Sequence, residues 1–122
     1  MTTVDTAAVT DEAMKRLLGT ASPYTVCVLT WGPRRDREGW QGIVWEHGRR
    51  TIAMRAAGRL VVALRVDDPE VAGIGVYACE ADEVDRLLAD DPALLAGVLT
   101  YRLHPASGFP GDALPEPTGR HR

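Results

Sequence analysis

The sequence predicts one α+β domain, in which a four-stranded antiparallel sheet carries two main helices on one face. The length of 122 residues suits a single domain. Four short β-prone segments are separated by helical patterns, and a helix, a break and a last strand follow one another between residues 78 and 105. The predicted order β-α-β-β-α-β is that of a ferredoxin-like domain.

The first elements are an N-terminal helical arm and a strand. The arm, residues 1–22, contains a short amphipathic helix for which Thr10 is a typical N-cap, since acidic residues and then an apolar stripe follow it. Residues 24–30, YTVCVLT, form a β-prone run with few polar atoms, as in a strand covered on both faces. The charged, turn-rich segment 31–39 predicts a surface loop.

The middle of the chain predicts a long helix and a hairpin. In the helix 40–57, positions i, i+4, i+8 and i+11 share one face, and these are Ile43, His47, Thr51 and Met54. Gly58 is placed to end this helix. The apolar strands 60–66 and 73–79 are separated by a turn, so they can pair as a hairpin.

A short helix, a break and the last strand complete the domain. Helix 81–89 has an apolar stripe, and Asp91-Pro92 then breaks it because proline disfavours a helical conformation in the residue before it. A turn follows and ends at Gly97. The strand 98–103 places its apolar residues on one face toward the core, and these are Leu99, Tyr101 and Leu103.

The composition argues against several classes of function. The net charge of −3 and the scattered arginines give no basic patch for nucleic acid or a membrane surface. The N-terminus lacks the pattern of a signal peptide, which predicts a cytoplasmic protein. The three histidines, His47, His104 and His121, lack ligand spacing, so no metal site is expected.

The two cysteines give no sign of a metal or redox motif. Cys27 and Cys79 fall inside predicted strands and form no CxxC pair. Buried, unreactive thiols are the favoured interpretation, and a disulfide or a reactive role is the alternative.

The segment ACEADEVDRLLADDPALLAGVLTYRLHP, residues 78–105, is similar to the signature of the YciI-like (YCII-related) family. The shared features are an acidic helix, an Asp-Pro, a short turn that ends in glycine, and a last strand that runs into His-Pro. The resemblance implies a YciI-like domain over 23–105, followed by an extended Gly/Pro-rich tail over 106–122. It also implies a homodimeric α+β barrel, in which the bare sheet faces of two chains pair, and an activity without a cofactor.

The same resemblance implies that His47 and Asp91 are the catalytic pair. His47 precedes Gly58 by eleven residues, the spacing of a helix-borne histidine in this family, and Asp91 matches the aspartate of the Asp-Pro break. Such a pair implies acid-base chemistry of lyase, isomerase or dehalogenase type on a small conjugated or carboxylated molecule. The alternatives are a structural core histidine and a capping aspartate in a non-catalytic dimer that binds a small molecule or a partner protein.

Several further residues are candidates for the substrate pocket. The tryptophans and tyrosines could wall a pocket for a flat ligand or simply pack, and the candidates are Tyr24, Trp31, Trp40, Trp45 and Tyr101. Arg65 is the remaining candidate. Leu64-Arg65 stands where many family members carry Gly-Pro, which predicts a reshaped or closed pocket.

Overall fold

Residues 3–117 are described by the structure, a computed structural model. They form a short 3₁₀ turn at Thr6–Ala8, four helices and four strands. The helices are α1 (Asp11–Leu18), α2 (Trp40–Ala56), α3 (Ala81–Leu88) and α4 (Pro92–Leu95), and the strands are β1 (Ser22–Trp31), β2 (Leu60–Arg65), β3 (Val71–Tyr77) and β4 (Leu99–Gly108).

The strands form one antiparallel sheet in the order β2-β3-β1-β4. The β-prone strand β1 lies inside the sheet, where Cys27 faces Gly75 of β3 on one side and Leu103 of β4 on the other. The elements β1, α2, β2, β3, α3 and β4 follow the predicted β-α-β-β-α-β order. The predicted α+β, ferredoxin-like topology is therefore confirmed.

The main core lies between one face of the sheet and the two long connecting helices. Its buried members are Cys27, Met54, Leu60, Tyr77, Val84 and Leu88. The predicted face of α2 is the one turned to the sheet, since Met54 is buried while His47 and Thr51 are half-buried. Tyr101 and Leu103 of β4 pack against the same core, as their alternation predicts.

A smaller core lies where β1 leads into the loop before α2. Its buried residues and their neighbours include Ala93, Val98, Leu99, Trp31 and Trp40. Gly32 donates its backbone N–H to the Val98 carbonyl at 2.7 Å, and a Cβ on Gly32 would overlap the carbonyl oxygen of Gly97. This close approach requires glycine and holds the loop against the segment that follows α4.

The helix of the N-terminal arm stands apart from both cores. Thr10 caps α1 by accepting a hydrogen bond from the Ala13 N–H at 3.1 Å, as predicted. Every residue of α1 except Ala13 is exposed. Residues 1 and 2 of the predicted arm lie outside the described residues.

The last strand is longer than the sequence predicts. β4 continues beyond residue 103 because its final residues pair with the start of β1, where Ser22 faces Gly108. The boundary expected between domain and tail, at 105 and 106, therefore falls inside a strand. Residues 118–122 of the predicted tail lie outside the described part of the chain.

We call the face of the sheet turned away from the helices the open face. Its centre is apolar, while β4 contributes Thr100, Arg102 and His104 to its edge. At its centre lie Val26, Val28, Ile74 and Val76, all of which are only half-buried. Among residues 3–117, no helix packs on this face. In the same part of the chain, no helix is both long enough and apolar enough to cross a bilayer.

Candidate functional site

A cavity of about 360 Å³ lies between α2 and the sheet. The cavity exists because glycines stand where side chains would otherwise fill the space, both on the sheet and on α2. Gly73 and Gly75 face Leu29 and Cys27 across the β1–β3 pairing, on the helix-covered side. A Cβ at Gly75 would come within 3.0 Å of Leu60 Cδ1, whereas a Cβ at Gly48 of α2 would have no atom within 4 Å. The glycines of β3 form the floor of the cavity, and Gly48 leaves space in its roof.

His47 and Asp91 meet beside this cavity. His47 Nδ1 lies 2.7 Å from Asp91 Oδ2. The His47 side chain lines the cavity and is 13% exposed, while the Asp91 side chain is 0% exposed. The two residues are 44 positions apart in the sequence, and the packing of α4 against α2 brings them together.

Asp91 has a second contact in the same place. Its Oδ1 accepts hydrogen bonds from the backbone N–H groups of Ala93 at 2.9 Å and Leu94 at 3.4 Å. Asp91 is therefore the N-cap of α4, with Pro92 in the first turn. One carboxylate oxygen of Asp91 caps α4, and the other accepts the hydrogen bond of His47. Asp91 is thus both a capping residue and the partner of His47.

The electrostatics of the pair favour an ionised Asp91. Burial of the carboxyl acts to raise its pKa, but the hydrogen bond and charge of His47 and the two backbone N–H groups together hold the pKa of Asp91 below its ordinary value. An ionised carboxylate only accepts hydrogen bonds, so Nδ1 of His47 carries the proton. In the neutral imidazole, Nε2 is then a free base on the side chain that lines the cavity.

The one cysteine in the cavity wall is a poor nucleophile. Cys27 is buried, and burial with the charges of Asp85 and Asp91 raises its pKa to about 12. Its sulfur therefore stays a thiol at neutral pH. Cys27 and Cys79 are both free, and among residues 3–117 no group of three or more His, Cys, Asp or Glu side chains could hold a metal ion. His121 lies outside these residues.

The structure brings two of the predicted pocket residues to the cavity. Trp31 lines it at the end of β1, and Arg65 lines it at the end of β2. Leu64 pairs with Ile74 of the open face, so its side chain lies on the other side of the sheet and Leu64-Arg65 does not close the cavity. Trp40 packs edge-on against Trp31, with ring centroids 6.1 Å apart, and so supports the wall from behind.

The other three predicted pocket residues lie elsewhere. Trp45 is 70% exposed, because two residues along a helix turn a side chain to nearly the opposite side from His47. Tyr24 belongs to the open face, where its ring covers Gly108. Tyr101 donates to Asp85 Oδ1 at 2.6 Å, between β4 and α3. This hydrogen bond, with burial and the charge of Asp85, raises the pKa of Tyr101 to about 12.

Reasoning from the sequence missed the floor of the cavity and its nearest tyrosine. Gly73, Gly75 and Tyr77 occupy alternate positions of β3, and all three are buried on the helix side. The signal for this was the run GIGVY, since a glycine inside a central strand often marks a place where another group approaches the backbone closely.

Comparison with models of protein families and with curated proteins found no match to this chain. The site is thus defined by its own geometry: a buried histidine–carboxylate pair at an apolar cavity in an α+β domain of ferredoxin-like topology.

Proposed function

We propose that this chain is a YciI-like enzyme that carries out cofactor-free acid-base chemistry on a small conjugated or carboxylated organic molecule. The observation that carries this proposal is the 2.7 Å hydrogen bond between His47 and the fully buried Asp91, on a histidine that lines a cavity of about 360 Å³. A cavity of this size is suited to a small ligand. The order and spacing of the segment 78–105 support the assignment to the YciI-like family.

His47 is the proton carrier in the proposed mechanism. Nε2 removes a proton from a carbon of the bound molecule, and the Asp91 carboxylate stabilises the imidazolium that forms. The electron pair of the broken C–H bond then either shifts, so that His47 returns the proton to another carbon, or expels a leaving group. The first outcome is an isomerisation, and the second is a lyase or dehalogenase reaction in which the proton leaves with the product.

The surroundings of the pair favour this chemistry over nucleophilic catalysis. The wall is largely apolar, with Leu29, Trp31 and Val44 among its residues, and a low dielectric strengthens the contact between imidazolium and carboxylate. Cys27 stays a thiol at neutral pH, so a covalent route through this wall residue is disfavoured.

Arg65 supports a carboxylated substrate. Its side chain lies at the exposed edge of the cavity, and it makes no ion pair with any residue of the described range 3–117. An unpaired guanidinium there attracts an anionic group and can bind it with two hydrogen bonds. The acidic end of the substrate would then face outward, with its conjugated part over Gly73 and Gly75.

The proposed active form is a homodimer that pairs through the open face. Apolar residues that stay half-exposed at the centre of a sheet face are a typical surface for a second subunit. Two chains joined in this way would form an α+β barrel, and each would keep its own helix-side cavity.

The test of the proposed chemistry is carbon–hydrogen exchange in deuterated water. A set of small unsaturated and aromatic carboxylic acids is incubated with the protein, and ¹H NMR follows loss of carbon-bound protons and appearance of product. For an accepted compound, His47→Gln should lower the rate about a hundredfold or more, the usual worth of a positioned base. Asp91→Asn should also lower it, while asparagine still caps α4.

Matched controls separate chemistry from folding. Arg55→Gln changes an exposed residue of α2, and Asp90→Asn changes the exposed neighbour of Asp91. Both should keep full activity. Loss of the fold in both His47→Gln and Asp91→Asn, or unchanged turnover in either, would remove the pair from the mechanism.

The second candidate function is a non-catalytic homodimer that binds a small molecule or a partner protein. The double role of Asp91 favours it, because a residue that caps α4 and anchors α2 has a structural reason to be there. In that case a compound would bind without exchange or turnover, and His47→Gln would change melting temperature rather than chemistry.

A further inference from the structure

Tyr77, the last residue of β3, borders the cavity from the sheet side. It is 4% exposed and lines the cavity wall. Its ring leans over the glycine floor, since a Cβ built on Gly75 would lie 3.3 Å from Tyr77 Cε1. The ring therefore lies against the floor of the cavity, which α2, the helix that carries His47, covers from the other side.

The Tyr77 hydroxyl has no protein partner in the described part of the chain. Within residues 3–117, two side-chain polar atoms are inaccessible to solvent and have no hydrogen-bond partner, and they are Nε of Arg50 and Nε of Arg59. Tyr77 Oη is not one of them, although it makes no hydrogen bond within residues 3–117. The oxygen is therefore accessible to solvent. The residue as a whole is buried, and the cavity is the open space next to its ring.

A second tyrosine of the same core shows the contrast. Tyr101 is also packed against the main core, but its hydroxyl donates to Asp85 Oδ1 at 2.6 Å. Buried tyrosine hydroxyls usually have such a partner, and leaving one without it costs stability. A phenol kept in the wall of a cavity without a protein partner is thus placed to bind something inside the cavity.

We infer that Tyr77 is the second polar anchor of this site and donates its hydroxyl hydrogen to an oxygen of the bound molecule. The molecule is one with a flat apolar body and a carbonyl, enolate or phenolate oxygen, which lies over Gly73 and Gly75 between Tyr77 and His47. This inference rests on the proposed function, because it takes the same cavity as the ligand site.

The chemistry of Tyr77 suits this role. Burial, with further contributions from Cys27 and Asp91, raises the pKa of Tyr77, so the hydroxyl stays protonated and can donate at neutral pH. When His47 removes a proton next to a carbonyl group, negative charge develops on the carbonyl oxygen. A fixed donor in a water-poor site stabilises that charge, and Tyr77 would supply it from the sheet while His47 acts from the helix.

The experiment compares two probes in two tyrosine variants. The probes are 4-nitrophenol, whose anionic oxygen can accept the Tyr77 hydrogen bond, and 4-nitrotoluene, which has a methyl group there. Their dissociation constants are measured by equilibrium dialysis at a pH where the phenol is ionised. Tyr77→Phe should weaken binding of 4-nitrophenol about tenfold or more, the worth of a hydrogen bond to a charged group. It should leave binding of 4-nitrotoluene unchanged.

Tyr101→Phe is the matched control and adds a stability measurement. It removes a hydroxyl of the same core that has a partner, so it should lower the melting temperature and leave both dissociation constants unchanged. Tyr77→Phe should leave the melting temperature the same or higher, because it removes a buried hydroxyl without a protein partner. If Tyr77→Phe lowered the melting temperature as much as Tyr101→Phe does, the Tyr77 hydroxyl would have a structural partner, and the inference would be overturned.

The outcomes also separate this inference from the proposed function. If wild type binds both probes and Tyr77→Phe binds 4-nitrophenol equally well, the inference fails while the cavity stays a ligand site. If wild type binds neither probe up to saturation, the inference fails together with its premise, and the role of His47 is then decided by the exchange experiment alone.

Discussion

Filling the roof of the cavity at Gly48 should separate stability from binding. Gly48 and Gly42 both lie inside α2, and a Cβ at either would meet no atom within 4 Å. Glycine inside a helix costs about 1 kcal/mol relative to alanine. Gly48→Ala should therefore raise the free energy of unfolding by about 1 kcal/mol, which is roughly 4 °C in melting temperature for a chain of this size, and Gly42→Ala in the first turn should raise it by less.

The two positions differ in what the added group occupies. Gly48 lines the cavity, whereas Gly42 lies at the start of α2 and does not. A leucine at Gly48 adds four carbon atoms to the roof of a space of about 360 Å³. Gly48→Leu should keep the gain in helix propensity but weaken binding of 4-nitrotoluene at least tenfold, because it overlaps the ligand.

Urea unfolding and equilibrium dialysis measure the two effects. Gly42→Leu is the control for side-chain size, and it should leave binding as in wild type. If Gly48→Leu bound 4-nitrotoluene as tightly as Gly42→Leu does, the ligand would not lie below Gly48. If Gly48→Ala destabilised the protein, the space next to Gly48 would not be empty.

Two further predictions concern Asp91 and the open face. The pKa of Asp91 is lower in the folded than in the unfolded chain, so its contribution to stability is complete above about pH 4 and is lost as the pH falls through the lower, folded value. Acid unfolding of Asp91→Asn should depend less on pH in that range than acid unfolding of Asp90→Asn, and an identical dependence would contradict the contact with His47. Light scattering of wild type at micromolar concentration should give twice 13.2 kDa, and Val28→Arg on the open face should give 13.2 kDa with the fold retained. Leu95→Arg changes an exposed position on the helix side, so this variant should stay dimeric. If the wild-type protein is a monomer, the barrel proposal is wrong.

Local periodicity in the sequence predicted the helices α1, α2 and α3, the four strands and most of their buried sides. It did not predict the 3₁₀ turn, and β3 begins two residues earlier than predicted. The stripe of α3, the inner face of β4 and the sheet-facing side of α2 all follow from the spacing of apolar residues, because 3.6 and 2 residues are fixed repeats of the backbone. The helical repeat also places Trp45 away from His47, although the sequence made Trp45 one of the aromatic candidates for the pocket wall.

Contacts between distant segments were decided by the tertiary structure alone. Asp91 reaches His47 across 44 residues because α4 packs on α2, and the cavity exists because the register of β3 with β1 sets Gly73 and Gly75 below Gly48. The sequence places Tyr24 and Tyr101 on strands but does not set the side on which each strand is covered, and the fold turns them to opposite faces of the sheet. The local sequence sets which face of each helix or strand is apolar. Which of these faces pack together depends on strand pairing and helix docking, and these involve the whole chain.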